Sequence, residues 1–98
     1  MEARVERQRL PVRERVAIDA AEEKLQELGD QLPFPHSSHV AGPIRELRLR
    51  AGRSRTRLLY SRVGETMWVL SIGPEAIHDE RGFRKAVEAA RARLEDCR

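Results

Sequence analysis

Residues 44–74 read IRELRLRAGRSRTRLLYSRVGETMWVLSIGP, and the fold turns on how this stretch divides. Aliphatic, aromatic and β-branched side chains gather in three runs, Ile44–Arg50, Arg55–Val63 and Thr66–Ile72, which predict three strands. The links between them are Ala51-Gly52-Arg53-Ser54 and Gly64-Glu65. Links this short join neighbouring antiparallel strands, so the topology is a meander. Alternation assigns the faces: Leu47 and Leu49 oppose Arg48 and Arg50, Arg55 and Arg57 share a side, and Trp68, Leu70 and Ile72 share a side. The expected sheet is apolar on one face and charged on the other.

Upstream, Pro11–Leu28 has the period of an amphipathic helix, with Ala17, Ile18, Ala21, Leu25 and Leu28 on one face, Pro11 in the first turn and Gly29 just past the end. Met1–Leu10 is charged and reads as a solvated first turn or a frayed tail. Leu32–Pro43, LPFPHSSHVAGP, holds three prolines, two serines and a glycine and reads as an ordered loop. Downstream, Gly73-Pro74 stops the third strand. Asp79–Asp96 then predicts a closing helix with Asp79 as N-cap and Phe83, Ala86, Val87, Ala90 and Leu94 in one stripe. The sum is a single α+β domain: N-terminal helix, three-stranded antiparallel meander and C-terminal helix, with the helices on the apolar face.

A chain of 98 residues supports one small core. Its one cysteine, Cys97, has no partner for an intramolecular disulfide, which suits a reducing cytoplasm. No apolar run reaches the roughly 18–20 residues of a membrane span, and Met1–Arg15 lacks the apolar core of a signal peptide. The net charge is only +3, but it is unevenly spread. Residues 33–63 carry seven arginines against Glu46 alone, about +6, while the rest of the chain sums to about −3. A basic middle third of strand-forming sequence points to a polyanionic partner.

The ordered run PHSSHVAGPIRELRLRAGRSRTRLLYSRVGETMWVLSIGPEA resembles the HigB-like toxins of the RelE/ParE superfamily over about residues 12–96. The resemblance rests on the proline-histidine loop Pro35–Gly42, the strand Ile44-Arg45-Glu46-Leu47-Arg48, the strand Arg57-Leu58-Leu59-Tyr60, an apolar third strand and a terminal basic helix. It implies a RelE-like fold and the toxin of a type II toxin-antitoxin pair, acting as a ribosome-dependent endoribonuclease on messenger RNA without metal or other cofactor. The implied partners are a cognate antitoxin of helix-turn-helix type, messenger RNA and the ribosome, with no membrane. Many members begin with a short strand that Met1–Leu10 does not supply.

Metal-independent RNA cleavage needs a base for the ribose 2′-hydroxyl, cations for the phosphorane and an acid for the leaving oxygen. Arginine serves the second need, because it stays protonated and its fork matches phosphate oxygens. Arg48 and Arg57, in the motifs that carry the resemblance, are the first candidates; Arg45, Arg50, Arg53, Arg55 and Arg62 extend the basic surface. His78 follows the last strand, where the family places its C-terminal catalytic residues, and is the candidate acid or base. Glu46, set between arginines, is a second candidate base, and Tyr60 could stack on a base or donate to a phosphate. Each has a plainer reading as well: strand arginines solvate an edge, His78 helps start a helix, Glu46 pairs with a neighbour and Tyr60 packs in the sheet. His36 and His39 have H-x-x-H spacing but no third ligand nearby, so no metal site is expected. Two other functions fit the same fold, a ParE-like inhibitor of gyrase and a degenerate member that binds nucleic acid or antitoxin without cutting.

Overall fold

The computed structural model describes residues 4–28, 37–49 and 54–97. In chain order these form α1 (Arg4–Gln8), α2 (Val12–Leu28), β1 (Ser37–Ala41), β2 (Ile44–Arg48), β3 (Thr56–Val63), β4 (Thr66–Pro74) and α3 (Glu80–Cys97). The strands make one antiparallel sheet in the order β1-β2-β3-β4. The α+β meander is therefore present, but with four strands instead of the three expected. The extra strand lies within the segment read as a loop. Its prolines punctuate that segment without entering Ser37–Ala41, which is free to pair with β2 across the turn at Gly42-Pro43. Gly42 and Gly64 open the two tight hairpins with φ of 54° and 65°, the positive values that such turns require at their first position. Met1–Leu10 supplies the short helix α1 among its described residues, and no strand.

The expectation of one apolar and one charged face is also corrected, because both faces of the sheet are covered. Leu47, Leu49, Leu58, Tyr60, Met67 and Ile72 pack with Ile18 and Leu25 of α2 on one side. Ile44, Leu59 and Leu70 pack with Ala86, Ala90 and Leu94 of α3 on the other. β3 makes this necessary: Leu58, Leu59 and Tyr60 are consecutive and all buried, so adjacent side chains point to opposite layers.

A bulge in β4 breaks the simple alternation there. Leu59 pairs with Ser71 and Tyr60 with Val69, which leaves Leu70 without an opposite residue. Trp68 and Leu70 face α3 as a pair, but Ile72 turns to the α2 side, and Ser71 faces α3 and donates to the Ala86 carbonyl at 2.7 Å. Sequence parity cannot show such an insertion. The outer side of Leu70 is held by Arg93 of α3, whose Nη1 donates to the Leu70 carbonyl at 2.8 Å and to Glu6 of α1 at 2.5 Å. α1 is tied to the other layer as well, through Arg7 to Asp19 at 3.2 Å and to Glu22.

α3 begins as its sequence predicts, with Asp79 Oδ1 accepting from Gly82 N at 2.9 Å. Its first turns press directly on β4. A Cβ on Gly73 would lie 2.6 Å from that of Ala86, closer than two carbons can pack. Gly73→Ala should therefore push α3 off the sheet and lower stability by about 1–3 kcal/mol. Urea denaturation of the variant beside the wild type checks this, and an unchanged midpoint would mean that the helix does not need the close approach.

Candidate nucleic-acid interface

β2 and β3 run antiparallel in a register that sets Arg48 directly opposite Arg57. Opposed residues put their Cβ atoms about 4.5–5.5 Å apart on the same face, here the α3 face, in the part of the sheet nearer β2. Two like charges at that spacing repel, and each is balanced by a carboxylate. Arg48 Nη2 lies 2.9 Å from Glu46 Oε1, which also accepts from Ser38 Oγ at 3.1 Å. Arg57 Nη2 lies 2.7 Å from Glu75 Oε2, while its Nη1 donates to the carbonyls of Ser54 at 2.7 Å and Thr56 at 3.2 Å. Arg57 is 6% exposed. Its guanidinium is thus fixed by three partners, whereas the Arg48 side chain is more open, at 18%.

The β4–α3 connector adds His78 to the same end of the sheet. Glu75 N donates to the Arg55 carbonyl at 2.7 Å, and His78 N donates to the Glu75 carbonyl at 3.2 Å, so the connector is stitched to the start of β3. Arg55 Nη1 then reaches His78 Nδ1 at 3.2 Å. A guanidinium can only donate, so Nδ1 accepts and the proton of the neutral ring sits on Nε2. Both side chains are exposed. Beside them opens a cleft of about 320 Å³ lined by Glu6, Leu10, Arg55, Thr56, Ile72 and Pro74.

The remaining candidates separate. Arg45 pairs opposite Tyr60 on the α2 face, away from Arg48 and Arg57. Its Nε donates to Ser37 Oγ at 3.0 Å, and Ser37 in turn shares a hydrogen bond with the Tyr60 hydroxyl. Tyr60 is buried, with its hydroxyl engaged inside the protein, so its ring is not offered to a base. Arg62 is exposed near the β3–β4 hairpin, at the far end of the strand from Arg57. His39 is exposed and bonded through Nε2 to the Gly42 carbonyl at 2.9 Å. Arg50, Arg53 and His36 lie outside the described residues. Among the described residues, no three His, Cys, Asp or Glu side chains converge as a metal site would require.

Residues 6–73 match the model of the family described as Phage derived protein Gp49-like (DUF891). The chain belongs to this Gp49-like family. It is a family of RelE/ParE-like toxins of toxin-antitoxin systems, which agrees with the broader part of the resemblance drawn from residues 35–76. The match takes in Glu46, Arg48, Arg55 and Arg57 and ends before Glu75 and His78. No curated protein and no solved structure matches the chain. No helix among the described residues is long and apolar enough to cross a membrane.

Glu75 and Ser54, which hold Arg57, and Ser38, which donates to the carboxylate paired with Arg48, escaped the sequence reading. Glu75 could have been found only by knowing that Thr56 pairs with Pro74, which brings the residue after β4 back beside the start of β3. Removing Arg57 leaves the Glu75 carboxylate and the buried Ser54 carbonyl without their donor. Arg57→Ala should cost about 2–3 kcal/mol and Glu75→Gln about 1–2 kcal/mol, both discounted for the partial exposure of Glu75. Chemical denaturation of the two variants checks this order. Equal stability of Arg57→Ala and wild type would show that the network leaves Arg57 unconstrained.

Proposed function

We propose that this Gp49-like protein is a HigB-like toxin that cuts messenger RNA, bound at the ribosome, by metal-independent endoribonuclease chemistry in the cytoplasm, and that a cognate helix-turn-helix antitoxin restrains it. The observation that carries the reading is the convergence of Arg48, Arg57 and the Arg55–His78 pair at one end of the sheet. Their chemical types match three needs of the reaction. Arg48 supplies a guanidinium that can take a phosphate oxygen in exchange for Glu46, and Arg57, opposite it, supplies a fixed positive charge. His78 is the group suited to move a proton: the neutral ring accepts one at Nδ1, the atom Arg55 now occupies, and the imidazolium so formed gives one to the leaving 5′-oxygen. Glu46, held by Arg48 and Ser38, is the carboxylate placed to accept one. The cleft beside Arg55 has an apolar floor of Leu10, Ile72 and Pro74 on which a nucleobase can lie.

A second reading draws on a specific feature of the same site. Both central arginines are already paired with carboxylates, so phosphate has to compete with Glu46 and Glu75. That arrangement also suits a member that binds RNA or its antitoxin without cutting.

Induced expression of the wild type beside Arg48→Ala and His78→Ala, with growth followed and messenger RNA 5′ ends mapped in the same cells, separates the readings. Growth arrest with discrete new 5′ ends is expected for the wild type, with the ends reduced by about 10²–10⁴-fold in His78→Ala. Arrest with intact messages would replace the ribonuclease with a gyrase inhibitor, and no arrest would favour the binding-only reading. With the purified protein, binding to single-stranded RNA should weaken as salt rises. Arg48→Ala should reduce the slope of log K against log salt by about 0.7, the share of one phosphate contact. An unchanged slope would take Arg48 off the RNA.

A further inference from the structure

α2 carries apolar side chains on the side away from the core. Ile18 and Leu25 are buried against the sheet, whereas Val12, Val16 and Ala20, spaced by four, stand in solvent on the opposite face. Val12 is 64% and Val16 61% exposed. The two valines are β-branched and weaker helix formers than the long polar residues that would suit a solvated face.

The charges flanking the stripe are also set against the helix itself. Arg13 lies beside Glu14 in the first turn, at the positive end of the helix dipole, while Glu27 lies in a last turn that holds no basic residue and Glu23 lies one turn before it on the same exposed face. Glu23 and Glu27 are one turn apart, where like charges repel. Neither they nor Arg13 pairs ionically with another described residue. A helix with the opposite polarity laid along this face would relieve each of these penalties, and a second copy of α2 running antiparallel has that polarity.

We propose that two copies of this chain associate through the outer face of α2, antiparallel about a twofold axis between Val16 and Ala20. In that register Val16 lies against Ala20 of the partner subunit, Arg13 against Glu23 of the partner subunit, and Val12 under the aliphatic stem of Lys24 of the partner subunit. The twofold axis repeats each contact. The antiparallel arrangement also sets the acids of each copy beside the positive end of the other helix. A helix of this length is about 26 Å long, so the buried area is at the low end of specific interfaces and the dimer is a weak one, on the order of micromolar. The charged end of the sheet at Arg48 and Arg57 faces the α3 layer, so this association leaves it uncovered.

The test is the molar mass of the full chain in solution, from sedimentation over a wide concentration range at low and high salt. The wild type should pass from one copy to two as concentration rises, less readily at high salt. Arg13→Glu and Glu23→Arg should each weaken the dimer by about tenfold, the double exchange should recover it, and Val16→Glu should abolish it. All three substitutions are on an exposed face, and thermal melts of the monomer confirm that the four variants keep the fold intact. A wild type that stays monomeric throughout overturns the proposal and assigns the stripe to a different protein. A double exchange as weak as the single ones overturns the antiparallel register.

Discussion

Three consecutive residues in β3, Leu58, Leu59 and Tyr60, are each almost completely buried. A strand turns successive side chains to opposite sides, so this triplet cannot be satisfied by one covered face. It demands a layer beneath and a layer above, and the chain supplies α2 for the first and α3 for the second. Much of the remaining architecture follows from that demand. The close contact of Gly73 with Ala86 brings α3 down onto the sheet, the bulge at Leu70 allows β4 to serve both layers, and α1 joins the two helical layers at the β4 side. Each buried leucine in such a stack contributes roughly 1.5–3 kcal/mol, so neither layer is dispensable in a domain of this size.

The central strands and both long helices were legible because their periods are strong and their ends carry recognisable signals, Asp79 at the start of α3 and the glycine turn at Gly64 among them. β1 was not legible, because the density of proline around Ser37–Ala41 obscured a five-residue segment free of it. The double coverage of the sheet was implicit in the run Leu58-Leu59-Tyr60, whose lack of alternation is the mark of a strand buried on both sides. The bulge had no sequence signal at all. It depends on how β4 must shift to meet β3 and α3 together, which is a property of the assembled layers.

The candidate site divides along the same lines. Arg48 opposite Arg57 follows from the register of two strands, and strand register is constrained by the burial of Leu47, Leu58 and Leu59. Parity separates Arg45 from Arg48, and the structure shows the consequence: Arg45 serves a buried polar contact with Ser37 and Tyr60, while Arg48 stays with the charged cluster. The pairing of Arg55 with His78 was beyond sequence reasoning, since it depends on the path of the connector after Pro74. The clustering of arginine in the middle third is a property of the sequence alone. It could not say which arginines the protein uses for itself.

The contact between Glu6 and Arg93 spans 87 positions of the chain. Arg93 cannot join Glu6 to the Leu70 carbonyl until the chain has been synthesised past residue 93. A chain emerging from the ribosome can form the β2–β3 and β3–β4 hairpins early, because their partners are close in sequence, but the clasp of Arg93 on α1 must wait for α3. The order of assembly is therefore written into this one side chain: the hairpins first, the closing of the β4 side at the end.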